Sequence, residues 1–280
     1  MSFLLHIVVS SLIFGLMGLG FKIFLKLRST LDFSYIGIII FSAYASSLVN
    51  IHRGWGILSM AIAIVFSLFF TGFVLYLSDR LSGAYFDIGT LAFYILCLQL
   101  AFNLEITGGA LGLSGMGRNF VSLSLSLESY GIMTIIVSLL CLFFLSRFKK
   151  TYFYTILRRG ERELVVKSLV EVSIYKFTMI VITTVLAAIG SLFAFYYLYI
   201  DPPSFWLYLL TLLVIIGLVS YRINDWTMLV ALGVVFFYEI LRFAKIVDPS
   251  QVYVREIMIV LIQVFAAYLV FKKHGFERSQ

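Results

Sequence analysis

Fourteen acidic residues, three histidines and two cysteines are the groups in this chain that could do acid–base, metal or thiol chemistry. Their spacing organises none of it. His6, His52 and His274 lie far apart and show no ligand spacing. Cys97 and Cys141 each sit inside an apolar run, which argues against a disulfide scaffold or a cysteine-rich metal site. The polar groups within or at the ends of apolar stretches are Asp87, Gln99, Asn103, Glu105 and Glu239. An ionisable group in such a place is a functional candidate by default. Two of them have a plainer account. Glu239 stands three residues before Arg242, a spacing that allows a pair on one helix face. Asp87 falls near the start of its expected helix, where a carboxylate complements the dipole. No paired carboxylates and no Ser/His/Asp grouping remain, so catalysis has almost no candidates and no cofactor is implied.

The elements that carry these groups follow from composition. The chain has 280 residues, of which 62% are hydrophobic and 12% charged. A soluble domain has about 25% charged residues, so this chain could not cover a water-facing surface. Disordered chains are poor in apolar residues, which excludes that class as well. A spanning helix takes about 20 apolar residues. Apolar stretches near 2–24, 33–51, 55–78, 86–105, 129–147, 175–200, 204–221, 226–241 and 254–271 predict an all-α polytopic bundle of nine spans, within a range of about eight to ten. The chain reads as one transmembrane domain over 1–280. The first stretch lacks a preceding basic residue and is followed by Lys22, Lys26 and Arg28, which fits a retained helix better than a signal peptide. Trp55, Trp206 and Trp226 fall at span edges, the headgroup level that an amphipathic ring prefers.

Sidedness follows from the basic residues. With nine spans, sixteen of the 21 Lys and Arg residues fall on one side. By the positive-inside rule that side is cytoplasmic. The N-terminus is then outside and the C-terminus inside. The net charge of +7 is therefore a matter of topology rather than of nucleic-acid binding.

Two segments are too polar to span. The one at 148–174 is expected in the cytoplasm. It runs Arg158-Arg159-Gly160-Glu161-Arg162-Glu163-Leu164-Val165-Val166-Lys167-Ser168-Leu169, with charged and apolar residues interleaved at near-helical spacing. A short amphipathic helix there needs a surface, whether the bilayer interface, the protein's own helix ends or a cytoplasmic partner. The segment at 106–128 is expected outside and holds five glycines between Ile106 and Gly117. It is no phosphate cradle, because no Gly-Lys-Ser/Thr follows. It is either a tight connection or irregular backbone lining a cavity. Asp201-Pro202-Pro203 reads as a sharp turn in which proline stops the sixth helix.

The order of motifs resembles the inner-membrane permease subunits of bacterial ABC importers for branched-chain amino acids. Leu31-Asp32-Phe33-Ser34-Tyr35 with Ser42-Ala43-Tyr44, and Phe86-Asp87-Ile88-Gly89-Thr90-Leu91-Ala92-Phe93, are similar to two of the family's helices. Thr107-Gly108-Gly109-Ala110-Leu111-Gly112-Leu113-Ser114-Gly115 is similar to its Thr-Gly-Gly-Pro-Leu-Gly-Leu-Ser-Gly stretch, the most specific match. Glu163 to Leu169 with Tyr175-Lys176 resembles its coupling loop, Gly190 to Phe205 a later span and turn, and Gly275-Phe276 its C-terminal motif. The sequence departs from the pattern at Tyr35, Ile36, Ser42, Leu164, Val165 and Val170. Near Ile216 it keeps only Gly217 and Ser220 of the family's glycine-rich turn.

The resemblance implies a bacterial inner-membrane permease that pairs with a second permease subunit. Two cytoplasmic ABC ATPases would dock on it, and an extracytoplasmic solute-binding protein would deliver an amino acid or similar small polar solute. ATP hydrolysis would then belong to another chain. Arg158, Arg159, Arg162, Glu163, Lys167, Ser168 and Leu169 become the expected coupling site. Tyr35, Asp87, Thr90, Thr107, Gly108, Gly109 and Gly112 become the expected translocation path. A stand-alone channel or secondary transporter, and a membrane scaffold without transport, are the competing classes. The scarcity of intramembrane charge argues against ion coupling.

Overall fold

A computed structural model describes residues 2–28, 33–81, 84–118, 126–149 and 169–202, together with Gly233 and Phe236. Six helices occupy these stretches: α1 Ser2–Arg28, α2 Ser34–Arg53, α3 Gly56–Arg80, α4 Ala84–Asn103, α5 Leu127–Lys149 and α6 Leu169–Tyr197. They overlap the first six expected apolar stretches. The last three expected spans, and the Glu239–Arg242 pair, lie outside the described residues. By length and composition, Ser34–Arg53, Gly56–Ser78 and Tyr85–Asn103 can each cross a membrane.

The chain divides into two compact units, Met1–Lys22 with Trp206–Gln280, and Ile23–Phe205. Of the first unit, α1 is the described element. Its residues from Val9 to Leu19 are almost continuously buried. The second unit carries the candidate site.

Within the second unit α2 is the central helix, packed by α3, α4 and α6. Some 72% of its apolar window is buried, against 28% for α3 and 39% for α4, which makes those two the outer helices. Sequence explains the difference. α2 holds Ser42, Ser46 and Ser47, all buried, and each hydroxyl donates back to a carbonyl three or four residues earlier. The hydroxyls are thus satisfied within the helix, and the small side chains let neighbours come close. At Gly37 a Cβ would lie 2.9 Å from the Phe93 ring and 3.0 Å from Cys97 Sγ, so α4 packs directly on the α2 backbone. Gly190 of α6 meets Ser42 and the Ile39 carbonyl in the same way. The Ser67 hydroxyl donates to the Thr183 carbonyl at 2.7 Å and ties α3 to α6. Phe41 stacks on Phe70 at 4.1 Å, and Phe93 tilts against Phe70 and Phe73.

The outward faces are apolar. α3 exposes Val65, Phe66, Phe69, Phe73 and Tyr76, and α4 exposes Tyr85, Ile88, Ile95 and Leu96. In water such a surface would be a large unpaired apolar patch. In lipid it is an ordinary exterior. α5 is two-sided at helical spacing, with Tyr130, Thr134 and Ser138 buried and Ile132, Ile136, Leu139 and Phe143 exposed.

Three local outcomes differ from the sequence reading. α6 begins at Leu169, so residues 169–174, expected in the loop, are helical. The fold is not purely helical: β1 (Leu113–Ser114) pairs antiparallel with β2 (Tyr199–Ile200). Proline does not end α6. The helix stops at Tyr197, followed by Leu198 in the left-handed region at φ 56°. Pro202 is already helical, and proline's fixed φ suits the start of a helix as well as its end.

Candidate functional site

The residues expected to line a translocation path separate into two groups at opposite ends of α4. Tyr35, Asp87 and Thr90 lie at the starts of α2 and α4. Thr107, Gly108, Gly109 and Gly112 follow the end of α4. A 20-residue helix is about 30 Å long, so the groups are roughly 25 Å apart.

At the first end Thr90 is the link. Its hydroxyl donates to the Asp87 carbonyl at 3.0 Å, and it accepts the Phe33 amide at 3.3 Å. Phe33 immediately precedes α2, whose first amides have no helical partner. Thr90 therefore pins the start of α2 to the first turn of α4. Asp87 occupies that first turn, as the dipole argument expects, and its buried Oδ1 has no hydrogen-bond partner. Tyr35 is almost wholly buried.

The second end is built from backbone. Two short 3-10 turns, Glu105–Thr107 and Gly109–Leu111, follow α4. The buried Thr107 hydroxyl reaches the carbonyls of Ala101 and Leu104 at 2.8 and 2.7 Å and closes the end of the helix. Gly108, Gly109, Gly112 and Gly115 all have positive φ. Two of them are sterically compelled. A Cβ on Gly108 would overlap the Gly112 carbonyl, and one on Gly112 would overlap the Ile200 carbonyl and approach the Asp201 Cα to 2.8 Å. The glycines thus let the loop lie against the turn after α6, where β1 and β2 pair. The Tyr199 hydroxyl adds a bond to the Leu111 carbonyl at 2.9 Å. Partial burial, then the charge of Asp201, holds the Tyr199 phenol above the usual tyrosine range.

Two residues that sequence reasoning did not nominate complete this end. Asn50, in the last turn of α2, is buried and accepts the Gly117 amide on Oδ1 at 2.7 Å. Arg118 donates through Nη2 to the Tyr196 carbonyl of α6 at 3.3 Å. For Arg118 the sequence offers no signal beyond a basic residue following the glycine-rich stretch. An asparagine near the end of an apolar span was the available signal for Asn50. Beside this end an apolar cavity of about 260 Å³ sits on α2 between α3 and α4, with Tyr44, Phe66, Leu100 and Thr107 in its wall.

Arg158, Arg159, Arg162, Glu163, Lys167 and Ser168 lie outside the described residues. Leu169 is the first residue of α6. Among the described residues no group of three or more His, Cys, Asp or Glu side chains could hold a metal ion.

Apolar helices with lipid-type exteriors indicate an integral membrane protein. The family model for the permease component of the branched-chain amino acid transport system matches residues 3–267, and the chain belongs to that family. No curated protein and no solved structure matches the chain. The family makes it a transport component of an ABC-type system that includes other subunits.

Proposed function

We propose that the chain is the permease subunit of a bacterial inner-membrane ABC importer for branched-chain amino acids or a related small polar solute. The family match over residues 3–267 is the observation that carries this reading. The N-terminus is outside and the basic 148–174 segment is cytoplasmic, in accord with the positive-inside rule. A cytoplasmic ATPase docks on that segment through Arg158, Arg159, Arg162, Glu163, Lys167, Ser168 and Leu169. A second permease subunit completes the pathway, and an extracytoplasmic binding protein delivers the solute to the glycine-rich end.

In this reading the two ends of α4 are the two gates of an alternating-access cycle. Tyr35, Asp87 and Thr90 stand at the cytoplasmic gate, and Thr107, Gly108, Gly109 and Gly112 at the outer one. Support comes from the contrast in how they are built. The outer end is a folded backbone structure, and at the inner end the Thr90 side chain links α4 to the start of α2. Irregular backbone at membrane depth is tolerated where it is buried in protein or lines a cavity.

The test is charge reversal in the docking segment. Glu163→Lys should abolish ATP-driven solute uptake while the chain still inserts into the membrane at normal levels. Uptake that survives the reversal would remove Glu163 from the ATPase contact.

A further inference from the structure

We propose that Asn50, Arg118 and Tyr130 form a binding site for the carboxylate of the transported solute at the glycine-rich end of the second unit. The proposal rests on the transport reading for the identity of the solute. It rests on the structure for the anion.

The observation is a set of buried donors without acceptors. The Nδ2 of Asn50, the Nε of Arg118 and the hydroxyl of Tyr130 are all shielded from solvent and have no hydrogen-bond partner. Asn50 is 1% exposed and Tyr130 2%. The residues come from separate elements, the end of α2, the glycine-rich loop and the first turn of α5. The loop brings them together. The Asn50–Gly117 bond sets Arg118 beside the end of α2, the Arg118–Tyr196 bond sets it against the end of α6, and Tyr130 lies within electrostatic reach of the guanidinium.

Burial makes this arrangement costly as it stands. Buried polar groups are ordinarily paired, and an unpaired buried donor has lost its hydration without gaining a bond in return. A partly buried guanidinium normally faces a carboxylate. Among the described residues Arg118 has no such partner, and its hydrogen bond goes to a neutral carbonyl. Three donors and one positive charge call for a compact acceptor with several lone pairs and one negative charge. A carboxylate supplies two oxygens with about four acceptor positions. The near-complete burial of Asn50 and Tyr130 favours a small anion over a side chain on a partner's surface.

The neighbouring apolar cavity sharpens the class of solute. Asn50 lies in the last turn of α2, and Tyr44 and Val49 of the same helix line the cavity. A solute with a carboxylate at one end and a short branched hydrocarbon at the other would find both chemistries along one helix.

The test uses the full-length chain in nanodiscs of zwitterionic lipid, and its readout is the thermal unfolding midpoint against ligand concentration. L-leucine and isovalerate should stabilise the wild type, and isoamylamine, which lacks the carboxylate, should not. Arg118→Gln should lose the response. Tyr130→Phe removes only the unpaired hydroxyl, so the unliganded protein should be as stable as wild type or more so. Its apparent affinity for isovalerate should still fall about tenfold, the loss expected for one hydrogen bond to a charged acceptor. Equal responses to isovalerate and isoamylamine would overturn the proposal. So would a Tyr130→Phe variant that binds isovalerate like the wild type. Stabilisation by anionic-lipid nanodiscs but not by soluble carboxylates would assign the donors to a lipid headgroup, and also overturn it. None of these readouts needs an ATPase. Carboxylate binding without ATP-driven uptake would therefore retire the transport reading and leave the anion site standing.

Discussion

The two ends of α4 solve the same problem in different ways. Both must fasten a helix terminus to the rest of the bundle, where free backbone groups cannot rely on water. At the starting end a side chain makes a link between helices: Thr90 accepts the Phe33 amide and donates to the Asp87 carbonyl. The glycine-rich end does it with backbone: positive-φ glycines, a two-residue β-pairing and carbonyl oxygens at the contact with Gly112. A side-chain link can be broken and remade with a rotamer change. A backbone lock made of close carbonyl contacts moves as a unit or not at all. The end that carries the buried donors is therefore the more rigid of the two.

Substitutions that separate the two designs have a clear order. Gly112→Ala should do most damage, because its Cβ overlaps the Ile200 carbonyl and its φ of 72° disfavours any side chain. Overpacking of this kind costs about 3 kcal/mol, or more when the backbone cannot yield. Little folded protein should survive detergent extraction, and normal yield and melting temperature would dissolve the contrast. Asn50→Leu comes next. It leaves the Gly117 amide without its acceptor, a loss of about 1–3 kcal/mol that removal of the unpaired Nδ2 offsets in part, and thermal unfolding would read the net change.

Thr90→Val tests the other end and should cost less than Gly112→Ala, about 1–2 kcal/mol for the two bonds its hydroxyl makes to the Phe33 amide and the Asp87 carbonyl. A loss as large as that of Gly112→Ala would show that the two ends are equally locked. The smallest effect belongs to Tyr199. Folding favours its protonated phenol, because burial and Asp201 raise the folded value above the unfolded one of about 10. Its contribution is therefore complete below about pH 10 and is lost as pH rises through the folded value. Tyr199→Phe should change stability little at neutral pH and should flatten the decline above pH 10. An unaltered alkaline profile in the variant would remove Tyr199 from the account.

The helices were legible because they depend on local composition. The stretches near 33–51, 55–78 and 86–105 correspond to α2, α3 and α4 within a few residues. The first turn of α4 was legible too, since Asp87 needs only its own helix to explain it. What composition cannot carry is a contact between distant parts of the chain. The glycines could be read as a tight connection or a cavity lining, and nothing in them pointed to Tyr199–Ile200 as their pairing partner. Asn50 and Arg118 were missed for the same reason, as each acquires its role only when the loop folds back on α2 and α6. Thr90 and Thr107, both expected on one path, stand at opposite ends of α4.

On the proposed function, this chain moves its solute only together with ATPase partners. The direct measurement is uptake of labelled L-leucine into liposomes, comparing the purified chain alone with the complex recovered under mild detergent. The account predicts no flux from the chain alone and ATP-dependent uptake from the complex. Flux from the chain alone, at a rate indifferent to ATP, would contradict it.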